Sequence, residues 1–585
     1  MTRSFPDAWR ATPLVALLLV QACGDITASE LLEALEFSSV TIDLDFTRDT
    51  TLTIRNTGSE AAGPVLLATG PVVNSGGNVV TGPVLTVSPT LIPTLNPGAS
   101  ATLTISLDVP IDTPEDAYFV SLEATIPDAE SALFVDVGFS VIDPASLDVT
   151  SVVFTSPSTT TIRQGDVQQF VAEAFDDQGA AVTGARIRWS VAPASGGFID
   201  ADGRFAPYGA GTPMVIAAAG AHADTVVFTV TARGLTGGFS VVGHGEVLDR
   251  VTSDLWIHGT AAYTGTWGTR TSAAGTFSGN TLNTWDVSNT AAPTLVHSMT
   301  IDARTINDVK VSSDGTLGLI THEGSNDLQN GITLLDLSNP LAPSVITRTT
   351  NTLEPGVHNA WIEGDYVYLA VDGSSTASGL RILDVSDPSN PNVVAQFYGG
   401  SSFLHDVYVR DGLAFLSHWN AGLIILDVGS GIAGGSPENP VEVSRLPTQG
   451  GQTHNAWYWP AGGYVFVGEE DFQSPGIMHV IDVSDMWNPL EVATFRSPGT
   501  TPHNFWMDEA QELIYLSWYS NGLHALDVSG QLLGELEEQG REFTGFLYAQ
   551  GLSSFATQNW AVQLHNGLVY VSDMNSGLWI LQPGF

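Results

Sequence analysis

The chain is nearly without lysine: of 19 basic residues, only Lys310 is one. Asp and Glu number 62, which leaves a net charge of −43. A surface of that sign repels phosphate, so nucleic-acid binding through a basic groove is excluded and an anionic membrane surface is disfavoured. It suits solubility, cation binding or a salty medium. Cysteine is as scarce. Cys23 stands alone, so no intrachain disulfide can form and no thiol nucleophile is left beyond the amino-terminal segment. A Gly-rich phosphate loop ending in Lys-Ser/Thr, a Gly-x-Ser-x-Gly elbow and a helical catalytic scaffold are all missing. No stretch approaches 18 consecutive apolar residues, so no membrane span is expected in the mature chain.

What is present points to all-β structure. The 585 residues suggest three or four domains, and 43% hydrophobic content excludes a wholly disordered chain. Gly 60 and Pro 31 imply many turns. Residues 1–23 read as a targeting segment: Arg3 and Arg10, then Leu14-Val15-Ala16-Leu17-Leu18-Leu19-Val20, a run of signal-peptide length. The end, Val20-Gln21-Ala22-Cys23-Gly24, resembles the bacterial lipobox, with Gln21 a mild departure. That resemblance implies lipidation of Cys23, a membrane contact through the anchor, and a secreted protein held at the cell envelope or outer surface.

Residues 24–30 are expected to be a tether. From 31 to 144, short alternating runs such as Thr51-Leu52-Thr53-Ile54-Arg55 stop at turn residues such as Asn56-Thr57-Gly58, as in a β-sandwich. This part resembles the Ig-like modules of bacterial surface proteins. Residues 145–233 carry Gly165-Asp166-Val167-Gln168-Gln169-Phe170, Ile187-Arg188-Trp189-Ser190 and Ile199-Asp200-Ala201-Asp202-Gly203. They resemble the bacterial Ig-like domain of group 2, which would make Trp189 its core tryptophan. Asp200 and Asp202 lack the other ligands of a calcium loop and read as a turn.

Residues 235–585 repeat. An aliphatic strand ending in Asp-aliphatic-Ser or a close variant recurs at Asp286, Asp336, Asp384, Asp427, Asp482 and Asp527, with a degenerate copy at Leu578-Trp579-Ile580-Leu581. A second landmark precedes each copy, starting at Ser253, Asn307, His358, His405, His454, His503 and Gln558. The spacing is about 51 residues, with four strand-like runs per unit, the signature of a β-propeller. The last unit lacks a fourth strand, which Gly238-Phe239-Ser240-Val241-Val242 would supply from in front of the first unit. Strands such as Leu380-Arg381-Ile382-Leu383-Asp384-Val385 resemble the LVIVD-repeat family. The resemblance implies a seven-bladed propeller on a secreted or surface protein and no single activity. The expected fold is therefore all-β: two Ig-like β-sandwiches followed by a seven-bladed propeller.

The repeated Asp residues read as turn-formers that accept backbone N–H groups. His358, His405, His454 and His503 hold one repeat position in four consecutive units, where a first strand would line the channel mouth. The second-strand ends would bring His322, Glu323, Asp372, His418, Trp419, Glu469, Glu470, Trp518, Tyr519 and Asp573 to the same face. Imidazole with carboxylate suits a divalent transition metal, and histidine also suits proton transfer near neutral pH. The same histidines could instead be blade architecture. Trp419, Trp518 and Tyr519 are candidates to stack on a sugar or other flat ligand. Trp361, Trp457 and Trp506, three residues after a histidine, are expected in the inter-blade core by strand parity. Residues 531–541 are expected to form the fourth strand of their unit. The leading functional expectation is a surface binding or adhesion module on an Ig-like stalk, meeting an extracellular protein, glycan or small ligand. A metal-dependent enzyme and a structural envelope protein are the alternatives.

Overall fold

A computed structural model describes residues 28–585, except 45–48, 111–112, 115, 128, 130–131, 142–148, 158–159, 183–184, 273–274, 374–377, 401, 449, 473–475 and 549–555. The targeting segment and Cys23 lie outside the described residues. The expected tether is partly ordered, because a short helix, Ala28–Glu33, turns the side chain of Leu32 into the first core.

That first core lies between two sheets. One runs Leu35–Phe37, Asp49–Asn56, Ser100–Asp108 and Val84–Ser88. The other centres on Asp116–Thr125 between Leu133–Val141 and Val65–Thr69. Alternate residues of these strands point inward, so Leu52 and Ile54, Leu103 and Ile105, and Leu122 and Ala124 fill one cluster while Thr, Ser and Glu face out. The next segment forms smaller sheets around Phe170, Phe205 and Phe228. Trp189 is half-buried there, 5.8 Å from Phe154 and 6.3 Å from Phe170 between ring centroids. Asp200 closes its turn by accepting the Asp202 and Arg204 N–H groups.

From residue 239 on, the described residues build seven sheets around a core of four antiparallel strands each, in sequential order in the first six; the fifth adds Gly534–Glu535 as a parallel fifth strand, and Thr269–Ser272 with Gly275–Ser278 forms a separate hairpin. The third is typical: Val357–Glu363, Tyr366–Val371, Gly379–Asp384 and Asn392–Phe397. The first strands pack side by side, each on the next, and the seventh returns to the first. The ring closes through Phe239–Glu246, which pairs antiparallel with Gly577–Pro583 and completes the last sheet. The carboxylates that end the third strands do what their sequence context demands. Asp286, Asp336, Asp384, Asp482 and Asp527 each accept the N–H of the serine two residues on.

Residues 531–541 depart from expectation. Gly534–Glu535 pairs with the fifth sheet instead, Leu536–Gln539 is a 3₁₀ turn, and the fourth strand of the sixth sheet is Glu542–Phe546. The cause is a contact made outside the repeat. Arg541 is fully buried and donates to the carbonyls of Asp527, Ser529, Gln531 and, from the second amino-terminal segment, Gly165. Arg233 joins it there, bonded to Asp527 and Asp166. The first amino-terminal segment also touches the repeats, through Ser88 Oγ on the Trp487 carbonyl. The amino-terminal segments therefore contact the repeat sheets.

Candidate functional site

The mouth of the ring is built by an irregularity. In four first strands the pairing register slips by one or more residues at the repeat position: at His358, at His454, between Thr252 and Leu255, and at Trp560. Such a bulge inserts an unpaired residue and re-aims its side chain. His358, His405, His454 and His503 then stand in one arc, with successive ring centroids 4.3, 4.2 and 4.2 Å apart. Trp560 continues the arc, 4.3 Å from His503. It holds the seventh position, two residues beyond the expected Gln558. Counting back from the Asn566-Gly567 hairpin, which matches Gly364-Asp365 of the third sheet, would have found it.

Among the described residues, no ring nitrogen of the four histidines bonds the backbone of its own sheet. His405 Nδ1 meets the His454 carbonyl at 3.1 Å, and His503 Nδ1 meets the Trp560 carbonyl at 2.6 Å. A proton on each Nδ1 satisfies these bonds and leaves Nε2 with a free lone pair. Burial, with neighbouring imidazoles, holds His405, His454 and His503 well below the usual histidine pKa, so all three are neutral at pH 7. His358 differs. Burial opposes its charge, but Glu323 at 3.0 Å and Asp372 at 3.9 Å carry its pKa up to about 9. Asp372 itself is pushed up to about 7 by burial and by Glu323.

The second-strand ends divide by strand parity. Glu323, Asp372, Trp419, Glu470 and Tyr519 face the mouth. Four of their predecessors named among the candidates, His322, His418, Glu469 and Trp518, are buried, and Asp573 is bonded within its own sheet and loop. His322 and His418 are buried with no hydrogen-bond partner for either ring nitrogen among the described residues, and burial lowers His322 to about 4. Glu469 pairs with His479 at 2.9 Å. Trp518 is fully buried against Phe495. Asp573 is spent on Gln558 N, Asn575 N, Ser576 Oγ and Tyr548 OH.

Two trios converge at the mouth: His405, His454 and Glu470, and Glu323, His358 and Asp372, the ligand atoms of each trio within 4.8 Å of one another. In the first, His405 Nε2 and His454 Nε2 lie 3.8 and 3.9 Å from one Glu470 oxygen. A tetrahedral ion with bonds of about 2.1 Å separates its ligands by roughly 3.4 Å, so a contraction of about half an ångström in each histidine–carboxylate pair would bring those pairs to that spacing. Tyr519 OH orients the other Glu470 oxygen from 2.5 Å. Around the trios stand Trp419, stacked on His405 at 5.3 Å, Phe403 at 5.5 Å from the same ring, and Phe472, 63% exposed, beside Tyr519. Phe403 and Phe472 lie in loops and carry no repeat signal in the sequence.

Below the histidines, the next residue in three of the first strands braces the ring. Asp254, Asp308 and Asn359 accept the N–H groups of Val309, Ala360 and Val407 from the following sheet. Lys310 is buried between Asp254 and Asp308 and bonded to both. One step further, Trp361, Trp457 and Trp506 face the central channel, contrary to the parity argument. In the third and fifth sheets the histidine is itself the unpaired bulge residue, so alternation is broken between it and the tryptophan three places on.

Repeating four-stranded sheets closed into a ring define a β-propeller-type repeat protein. A family model, the LVIVD repeat, matches residues 356–398, which is the third sheet from its first strand to the end of its fourth. No curated protein matches the chain.

Proposed function

We propose that this chain is an exported, lipid-anchored binding protein. Its seven sheets are read as the blades of a propeller, carried beside two Ig-like sandwiches, and the channel mouth takes one divalent transition-metal ion. One observation carries the metal: two neutral imidazoles and a carboxylate converge with their free atoms turned toward each other. The Nδ1-to-carbonyl bond on His405 supports it, since metal-binding imidazoles are held in this way. The lipobox-like end of residues 1–23 supports the anchor. The test is elemental analysis of the purified mature protein by plasma mass spectrometry, after dialysis without chelator. About one zinc, copper or iron per chain is expected, and none in a His405→Ala/His454→Ala variant. A native protein that stays metal-free after incubation with each ion would overturn the reading. A metal-dependent enzyme needs the same ion and falls with it.

The aromatic rim supports a second reading, a binding face for a flat extracellular ligand such as a glycan. Phe472 and Trp419 offer exposed and half-buried rings beside the trio. Loss of glycan-array binding in Phe472→Ala, with metal content unchanged, would separate the two.

A further inference from the structure

Deeper in the channel, five aromatic side chains form a closed circuit that the metal reading does not use. Trp256, Trp361, Tyr408, Trp457 and Trp506 follow one another at centroid separations of 5.9, 4.6, 5.0, 4.9 and, back to Trp256, 5.8 Å. Seven sheets supply seven equivalent positions, and two withdraw to let five close. Lys310 turns away to Asp254 and Asp308. Gln563 bonds the Ile257 N–H and carbonyl. A regular pentagon of this side length places ring centroids about 4.5 Å from its centre, inside the roughly 6 Å limit for attraction of a cation to an aromatic face. The space enclosed is about 60 Å³, enough for several water-sized groups. The four tryptophans are half-buried, so the circuit is open to a ligand on one side.

The charges around it favour a cation. Asp254 and Asp406 line the cavity with Lys310 as the lone base; Lys310 balances Asp254, and Asp406, pushed up to about 7 by burial, is charged in part at neutral pH. The Lys310 ammonium already lies 5.4 Å from the Trp256 ring centroid, a cation–π contact made by the protein itself. The chain's net charge of −43 concentrates cations at its surface. We propose that this aromatic circuit is a binding cage for a small organic cation of the quaternary ammonium class. Its methyl groups fill the apolar ring, and its charge meets the ring faces and the carboxylates above.

The test uses the full mature chain with a chelator present, so that no ion at the mouth takes part. Choline is titrated against 3,3-dimethylbutan-1-ol, its neutral isostere, by indole fluorescence and calorimetry. Choline is expected to bind saturably and at least tenfold more tightly than the alcohol. Trp457→Phe is expected to weaken choline several-fold, and Trp457→Leu to abolish binding, with the fold checked by circular dichroism. Should Trp457→Leu fail to fold, the ligand pair on the native chain and Trp457→Phe still decide. Equal binding of choline and the alcohol, or no saturable choline binding at millimolar concentration, would refute the cage and leave the metal reading untouched.

Discussion

Lys310→Met should be among the most damaging single substitutions in the ring. The ammonium lies 2.8 Å from Asp254 and is bonded to Asp308, and the side chains of these three residues are between 3 and 9% exposed. Burial opposes the Lys310 charge, but the two carboxylates more than compensate, raising its pKa above the ordinary value. Asp254 is held below the usual carboxylate range by Lys310, despite burial, while burial pushes Asp308 well above it. Methionine keeps the volume and leaves two carboxylates buried without a cation, at a cost of about 3–5 kcal/mol. Both also brace the ring, at Val309 N and Ala360 N, so their repulsion acts on the first three sheets together. Urea unfolding followed by tryptophan fluorescence at pH 7 measures the loss. The deficit should shrink as pH falls, because protonation of the freed carboxylates removes their repulsion. Adding Asp308→Asn to Lys310→Met should restore more than half of the stability. A loss under 1 kcal/mol, or a double variant no better than the single one, would refute the triad as an electrostatic unit.

Three further outcomes follow from the same structure. Asp427 accepts N–H groups from Gly429, Ser430, Gly431, Ala433 and Gly435, so Asp427→Ala should cost about 3 kcal/mol in urea unfolding and Asp427→Asn less; equal stability of all three proteins would count against it. His322 titrates near 4 when folded against about 6.5 when unfolded, so the unfolded chain takes up its proton first as pH falls. Its contribution is full above about 6.5 and drains by at most about 3 kcal/mol on approaching pH 4; His322→Phe should flatten that part of the stability–pH curve, and an unchanged slope would place the histidine elsewhere. Deleting residues 238–246 should strip amide exchange protection from Gly577–Pro583, which would become an open edge, whereas retained protection would mean that the ring does not depend on its closing strand.

The parts of the fold legible in the sequence are those that period and composition encode. The closing strand could be read because a unit counted along the chain came up one strand short while a strand-like run, 238–242, stood in front of the first unit; the structure extends it to Phe239–Glu246. The turn aspartates could be read because the residue two places on fixes their partner. The site is different, because it depends on single-residue offsets that hydrophobic pattern does not carry. At the second-strand ends, neighbouring residues such as Glu469 and Glu470 are chemically alike, yet one is locked against His479 and the other faces His405 and His454. Parity decides between them, and parity needs a register. The register itself slips at the bulge, so a rule of two that holds along Tyr366–Val371 fails between His358 and Trp361. The same bulge that turns imidazoles toward the mouth turns indoles into the channel. Where it occurs, this backbone irregularity shapes both layers of the channel, and a sequence read as ideal strands misses the aromatic layer while finding the histidine arc.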